Sequence, residues 1–295
     1  MGRKTKTIYL REPDVSPDPI SLVVWNVGGP SAGKGTASKR KRVITGLLES
    51  KQPSLVLVQE FSWIKIKRHN TWKDAHITDR YEYIGHKEAG ILYDTDELEV
   101  KNLTTETEIR PTIEKMLRKG ELSPGFTPLG RMLISEIKTK GVPTTHFLCV
   151  SWHGSHNSRK KADLLEEFKN LLVFMEAIED HYDLPLLIGG DFNLQYKDIP
   201  EKFKNSGSGL IAYMYDPLKR RSSRLIDFYI GSSTLPLSKI APVDLEKVDK
   251  GEDAQKIFDH DPVEATLMTH AKSLSGSSLC YIKPLFKDHM IVYET

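Results

Sequence analysis

The stretch VVWNVGGPSAGKGTASKRKR, Val23 to Arg42, decides how the chain is read. An apolar run enters a glycine-rich loop, then a lysine, then a helix-like segment. Gly28 to Thr36 is close to the loop by which nucleotide kinases cradle phosphate, with backbone N–H groups and a lysine, here Lys34, ahead of a helix N-terminus. A kinase would also need a parallel sheet, a later strand-borne aspartate and an arginine-rich lid. The chain offers paired strands and no lid motif. The kinase-like string is therefore read as coincidence, and the chemistry is sought two residues earlier, at Asn26.

Working outward from Asn26, the pattern is of strands with interspersed helices. Ser21 to Val27 and Leu55 to Gln59 are short apolar runs of buried-strand type. Val43 to Glu49 reads as a helix ended by Pro53. Ile84 to Tyr93 and Leu98 to Leu103 read as a strand pair joined at DTDE. Met132 to Lys138 and Thr145 to Ser151 read as another, joined by TKGVP. Apolar residues from Leu164 to Ile178 recur at three- and four-residue spacing, a helix that Ser158 could cap. Leu186 to Ile188, Leu225 to Ile230 and Val263 to Met268 are later strands, while SGSGLIAYM and SLSGSSL read as loops. The expected fold is α+β: two mixed, largely antiparallel sheets packed face to face, with helices outside. A single domain over 1–295 is expected, its core about 20–268, with a surface insertion at 107–128 carrying one helix and a C-terminal extension at 269–295.

Composition sets outer bounds. A 295-residue chain with 39% hydrophobic and 28% charged residues can bury a sizeable core. The formal net charge of +2 is a weak signal about partners. Cys149 and Cys280 sit in apolar surroundings without metal-ligand spacing, so they read as small buried hydrophobes in a reducing compartment. No secretory pattern opens the chain and no apolar run reaches membrane-spanning length, so an intracellular protein, cytoplasmic or nuclear, is expected, with no membrane association and no obligate protein partner.

Polar residues cluster where apolar runs stop: Asn26, Glu60, His153, Asp191 and Asn193, then Asp259 and His260. Each alone has a turn or structural explanation. Asp227, inside RLIDFYI, is different, because a buried carboxylate needs a partner. Loops at one edge of a rigid sheet are where a fold collects catalytic groups.

The ordered set WNV, VQE, WHG, GGDFN, RLIDFYI and DHDPV, spread from about Ile20 to Met268, resembles the endonuclease/exonuclease/phosphatase superfamily of Mg²⁺-dependent phosphodiesterases and phosphatases. The resemblance implies a Mg²⁺ site, Mn²⁺ being an alternative ion, with Glu60 as main ligand and Asn26 and Asp259 assisting. It implies that Asp191 and His260 orient or deprotonate the attacking water, that Asp227 holds the His260 ring, and that Asn193 and His153 donate hydrogen bonds to phosphate. Which of Asp191 and His260 is the base stays open. Two departures stand out: Gly28 where many family nucleases carry an acidic residue, and Phe258 where a serine often precedes the Asp-His pair.

Three basic clusters flank these motifs: Lys39 to Arg42, Arg159 to Lys161, and Lys219 to Arg221 with Arg224. Together they read as a positive rim for a polyanion; KRKR could equally be a nuclear-import signal. The expected function is a Mg²⁺-dependent phosphodiester hydrolase acting on DNA or RNA. The alternatives are an esterase of phosphoinositides, sphingomyelin or small nucleotides, and a non-catalytic nucleic-acid-binding relative.

Overall fold

The computed structural model describes residues 19–28, 36–61, 79–104, 109–156, 160–199, 201, 209–215, 225–248 and 257–268. Its first sheet is built from β1 (Ile20–Asn26), β2 (Leu55–Gln59), β3 (Tyr81–His86), β4 (Ala89–Asp94), β11 (Leu237–Pro242) and β12 (Val263–Leu267), in the order β11-β12-β1-β2-β4-β3. The second holds β5 (Leu98–Asn102), β6 (Met132–Thr139), β7 (His146–His153), β8 (Leu186–Asp191), β9 (Leu210–Tyr213) and β10 (Asp227–Ser232), in the order β5-β6-β7-β8-β10-β9. Each sheet has one parallel pair at its centre, β1 with β2 and β7 with β8; the other pairings are antiparallel. A parallel pair needs a crossover, and a helix supplies each: α1 (Thr36–Lys51) and α3 (Lys161–Tyr182). Among the described residues the remaining α-helices are α2 (Ile109–Lys119) and the single turn α4 (Leu245–Val248).

Strand alternation sorts side chains into three apolar layers. Leu22, Val24, Leu55 and Leu57 point between the sheets and meet Leu133, Phe147, Cys149, Leu187 and Tyr229. Val23, Trp25, Val56 and Val58 point outward, against Val43, Ile44, Leu47 and Leu48 of α1. Beyond the second sheet, Val150, Trp152 and Ile188 pack on Phe168, Leu171 and Met175 of α3. Both faces of the central strands are thus covered, which is why they are apolar at nearly every position. Truncating one such residue, for example fully buried Leu57 to Ala, costs roughly 2–5 kcal/mol. Cys149 belongs to the inner layer, and burial pushes its thiol pKa up, so it is inert; Cys280 lies outside the described residues.

The two expected sheets are present, but several elements differ. Ile84 to Tyr93 is not one strand: it turns at Lys87 and Glu88 into the β3–β4 hairpin, with Lys87 at φ +53°. No glycine or asparagine marks that turn. Nor do β4 and β5 pair; the DTDE turn carries the chain from one sheet to the other. Buried Asp94 holds that turn by accepting from the Asp96 N–H at 2.9 Å and by pairing with Arg80. Part of SGSGLIAYM is strand β9, an edge paired to β10, with Leu210 and Ala212 buried. Helix α2 is no mere surface feature, because Ile109, Ile113 and Met116 are buried in the α3-side layer. Ser158 and SLSGSSL lie outside the described residues; Lys160 occupies the N-cap of α3. No helix among the described residues is long and apolar enough to cross a membrane.

Candidate active site

The carboxyl ends of the two central parallel pairs open on the same side of the sandwich. Register brings the polar residues level: Asn26 is opposite Gln59, His153 opposite Asp191, and Asp227 opposite Asp191. Asp191 is the hub. Its Oδ1 accepts the Asn193 N–H at 2.8 Å, and its Oδ2 accepts Asn26 Nδ2 at 3.0 Å and Asn193 Nδ2 at 3.2 Å. Asn193 also donates to the Gly154 carbonyl at 3.0 Å and sits at φ +51°, a conformation asparagine tolerates.

Two imidazoles flank that carboxylate. His260 Nε2 lies 3.7 Å from Asp191 Oδ2, and His153 Nε2 lies 3.8 Å from the same atom. Each is backed on its other nitrogen by a carboxylate: His260 Nδ1 meets Asp227 Oδ2 at 2.8 Å, and His153 Nδ1 meets Glu88 Oε2 at 3.1 Å. Burial alone would lower the His260 pKa, but the charge and hydrogen bond of Asp227, with Asp191 and Asp259 adding, raise it to about 10. Burial raises Asp191 to about 6, the neighbouring Asp227 charge adding, against the pull of His260 and the Asn26 donor. Burial lowers His153, although three carboxylates, Asp191, Glu60 and Glu88, oppose the shift. Asp227 Oδ1 is buried with no hydrogen-bond partner among the described residues.

Glu60 stands where β2 leaves the sheet. It adopts φ +56°, rare for a residue with a long side chain, and its N–H is held by the Glu88 carbonyl at 2.8 Å. Asn26 Oδ1 accepts the Gly28 N–H at 2.8 Å, while Asn26 Nδ2 reaches Glu60 Oε1 at 3.3 Å. A Cβ on Gly28 would stand 1.9 Å from Glu60 Oε2 and 2.9 Å from Asn26 Oδ1. The bare glycine thus lets the Glu60 carboxylate lie beside Asn26 Oδ1, hard oxygen donors of the kind a divalent cation such as Mg²⁺ takes. Gly28 is thus not simply an absent acidic ligand; the glycine makes room for the Glu60 carboxylate. Asp259 is exposed, and its charge acts on His260. Asp191, Asp227 and His260 also offer three ligand atoms within 4.8 Å of one another.

The Phe258 departure has a packing role. Phe258 is buried, its ring centroid 4.5 Å from that of Trp25, with the Arg40 guanidinium 5.9 Å above it. Trp25 Nε1 donates to the His260 carbonyl at 3.3 Å, so the Asp259-His260 turn is pinned to the first sheet at both ends.

Sequence reasoning missed Glu88 and Arg131. Glu88 lies in a hairpin turn and looks like any exposed turn residue. Arg131 Nη1 donates to the Gly154 and His153 carbonyls at 2.8 and 3.3 Å and lies 3.6 Å from Glu88. Of the basic clusters, Lys39 and Arg42 are exposed on α1, but Lys41 is buried, and Lys161 pairs with Asp198 at 2.8 Å. Lys34, Arg159, Lys219 to Arg221 and Arg224 lie outside the described residues.

No family model matches the sequence, and no curated protein sequence matches it. Solved structures do match. An endonuclease/exonuclease/phosphatase family protein from Bacteroides thetaiotaomicron superposes with TM-score 0.61 at 17% identity, covering 87% of this chain and 100% of its own. The mannosyl-6-phosphatase of the same species gives 0.59 at 17%, covering 84% and 99%. Danio rerio TDP2 complexed with a single-strand DNA product gives 0.57 at 16%, covering 85% and 99%. The chain has the fold of these endonuclease/exonuclease/phosphatase proteins.

Proposed function

We propose that the protein is a divalent-ion-dependent phosphodiester hydrolase whose substrate is nucleic acid. The observation that carries the reading is the placement of the Asp191 carboxylate between two carboxylate-backed imidazoles, beside the oxygen pair of Glu60 and Asn26. Glu60 and Asn26 would hold Mg²⁺ or Mn²⁺, with Asp259 assisting. An ion bound there neutralises phosphate charge and polarises the bond to the leaving oxygen.

The chain's own residues divide the proton work by their electrostatics. Asp191, raised to about 6, is largely ionised at neutral pH yet basic enough to take a proton from water. His260, raised to about 10, is an imidazolium at that pH and donates rather than accepts. The attacking water therefore loses its proton to Asp191 as its oxygen bonds to phosphorus. The P–O ester bond breaks, and the departing oxygen takes a proton from His260, with Asp227 holding the ring. An incoming phosphate raises the pKa of His153 and makes it a donor to the developing charge, together with Asn193.

Nucleic acid is favoured by the likeness to a structure holding a DNA product and by exposed Lys39 and Arg42 on the helix that follows β1. The test is a panel of labelled single- and double-stranded DNA, RNA, bis-p-nitrophenyl phosphate and p-nitrophenyl phosphate, with Mg²⁺ or with EDTA. Cleavage of the diesters that EDTA and Asp191→Asn both abolish is expected. Hydrolysis of the monoester alone would make the protein a phosphatase, as the mannosyl-6-phosphatase likeness would have it. Binding of nucleic acid without cleavage would make it a non-catalytic relative.

A further inference from the structure

Beneath the site, the apolar layer between the sheets ends in two polar side chains, Gln59 and Ser151, both fully buried. Gln59 Nε2 donates to Ser151 Oγ at 3.0 Å and approaches the Leu57 carbonyl at 3.3 Å. Ser151 Oγ in turn donates to the Val58 carbonyl at 3.1 Å. One hydroxyl of the second sheet thus grips the last two residues of β2 in the first.

Its position is informative. Gln59 immediately precedes Glu60, whose left-handed backbone needs an anchor. Ser151 lies two residues before His153, and its register partner Gly189 lies two before Asp191. The bridge therefore fixes the separation between the ion-holding carboxylate on one sheet and the proton-handling groups on the other. It carries a cost: Gln59 Oε1 is buried with no hydrogen-bond partner among the described residues, and an unpaired buried acceptor disfavours folding. An aliphatic residue would fill the position without that penalty, and local conflicts of this kind concentrate at functional sites.

We infer that Gln59 and Ser151 are positioning residues that set the distance from Glu60 to Asp191 and His153. The inference rests on the functional reading above. The test compares wild type, Ser151→Ala, Gln59→Met and the double variant by thermal unfolding, by calorimetric titration with Mn²⁺, and by steady-state kinetics on a phosphodiester. Ser151→Ala alone leaves the Gln59 amide short of a partner and should lower Tm. The double variant replaces both polar partners with apolar groups and should recover stability. Mn²⁺ affinity and kcat of the double variant should nevertheless stay about tenfold down, the loss typical of groups that orient ligands, with KM little changed. Recovery of ion affinity and kcat along with Tm would make the bridge purely structural and overturn the inference. Unchanged ion affinity in both single variants would do the same while leaving the functional reading intact. Wild-type protein that binds no Mn²⁺ and cleaves no phosphoester would overturn both.

Discussion

Asp191 and Asp227 face each other as register partners across the β8–β10 ladder, and their carboxylates lie on either side of one imidazole, that of His260. Like charges this close raise each other's pKa unless a cation intervenes. His260 is that cation: the carboxylates raise its pKa, and its charge in turn pulls Asp191 down against the larger effect of burial.

The stability of the ion-free protein should carry this signature. Folding raises His260 from 6.5 to about 10, so its contribution is full below pH 6.5 and is lost as pH rises through about 10. In Asp227→Asn the imidazole should titrate well below 10, and the alkaline loss of stability should shrink. NMR titration of the His260 ring checks this directly. Turnover should fall by about 10²-fold or more, since the ring loses both its orientation and its charge.

Gly28 and Gly190 should separate site geometry from folding. A Gly28 Cβ meets chiefly the partly exposed tip of Glu60, which can swing aside, and crowds Asn26 Oδ1 by a few tenths of an ångström, so Gly28→Ala should fold at a cost of about 1–2 kcal/mol. Its divalent-ion affinity should drop about tenfold, because the displaced carboxylate is the proposed ligand. A Gly190 Cβ would stand 1.9 Å from the Trp152 carbonyl, backbone that cannot yield. Gly190→Ala should cost about 3 kcal/mol or more, read by urea unfolding.

Glu88→Gln keeps an acceptor for His153 Nδ1 but removes the charge that opposes the burial shift. The His153 pKa should fall further, and kcat should fall by about tenfold while substrate KM stays near wild type. An unchanged kcat would place Glu88 outside the machinery.

Phe258→Ala removes the ring packed at a tilt against Trp25 and should cost roughly 3–5 kcal/mol. The same variant should lower kcat, since the turn it anchors carries His260. Full activity at a temperature well below the lowered Tm would show that the Trp25–His260 and Asp227–His260 hydrogen bonds hold the turn without the Phe258 ring.

Much of this was legible in the chain because apolar runs and their polar ends are local. Buried strands covered on both faces are continuous apolar segments, and the residues that close them, from Asn26 to His260, are visible as interruptions. Local pattern says nothing about which sheet a strand joins. Hence β4 and β5 look like a hairpin although they lie in different sheets, and edge strand β9, short and glycine-flanked, looks like a loop. Glu88 carries no signal at all: a glutamate in a turn becomes a partner of His153 only when the β3–β4 hairpin folds over the end of β7.

The sequence by itself determined the α+β sandwich and the set of polar groups at its edge, since both follow from residue type and spacing along a strand. Only the tertiary structure decided how those groups are charged. Protonation depends on burial and on neighbours tens to hundreds of residues away, and it is distance through space that makes Asp191 the candidate base and His260 the candidate acid.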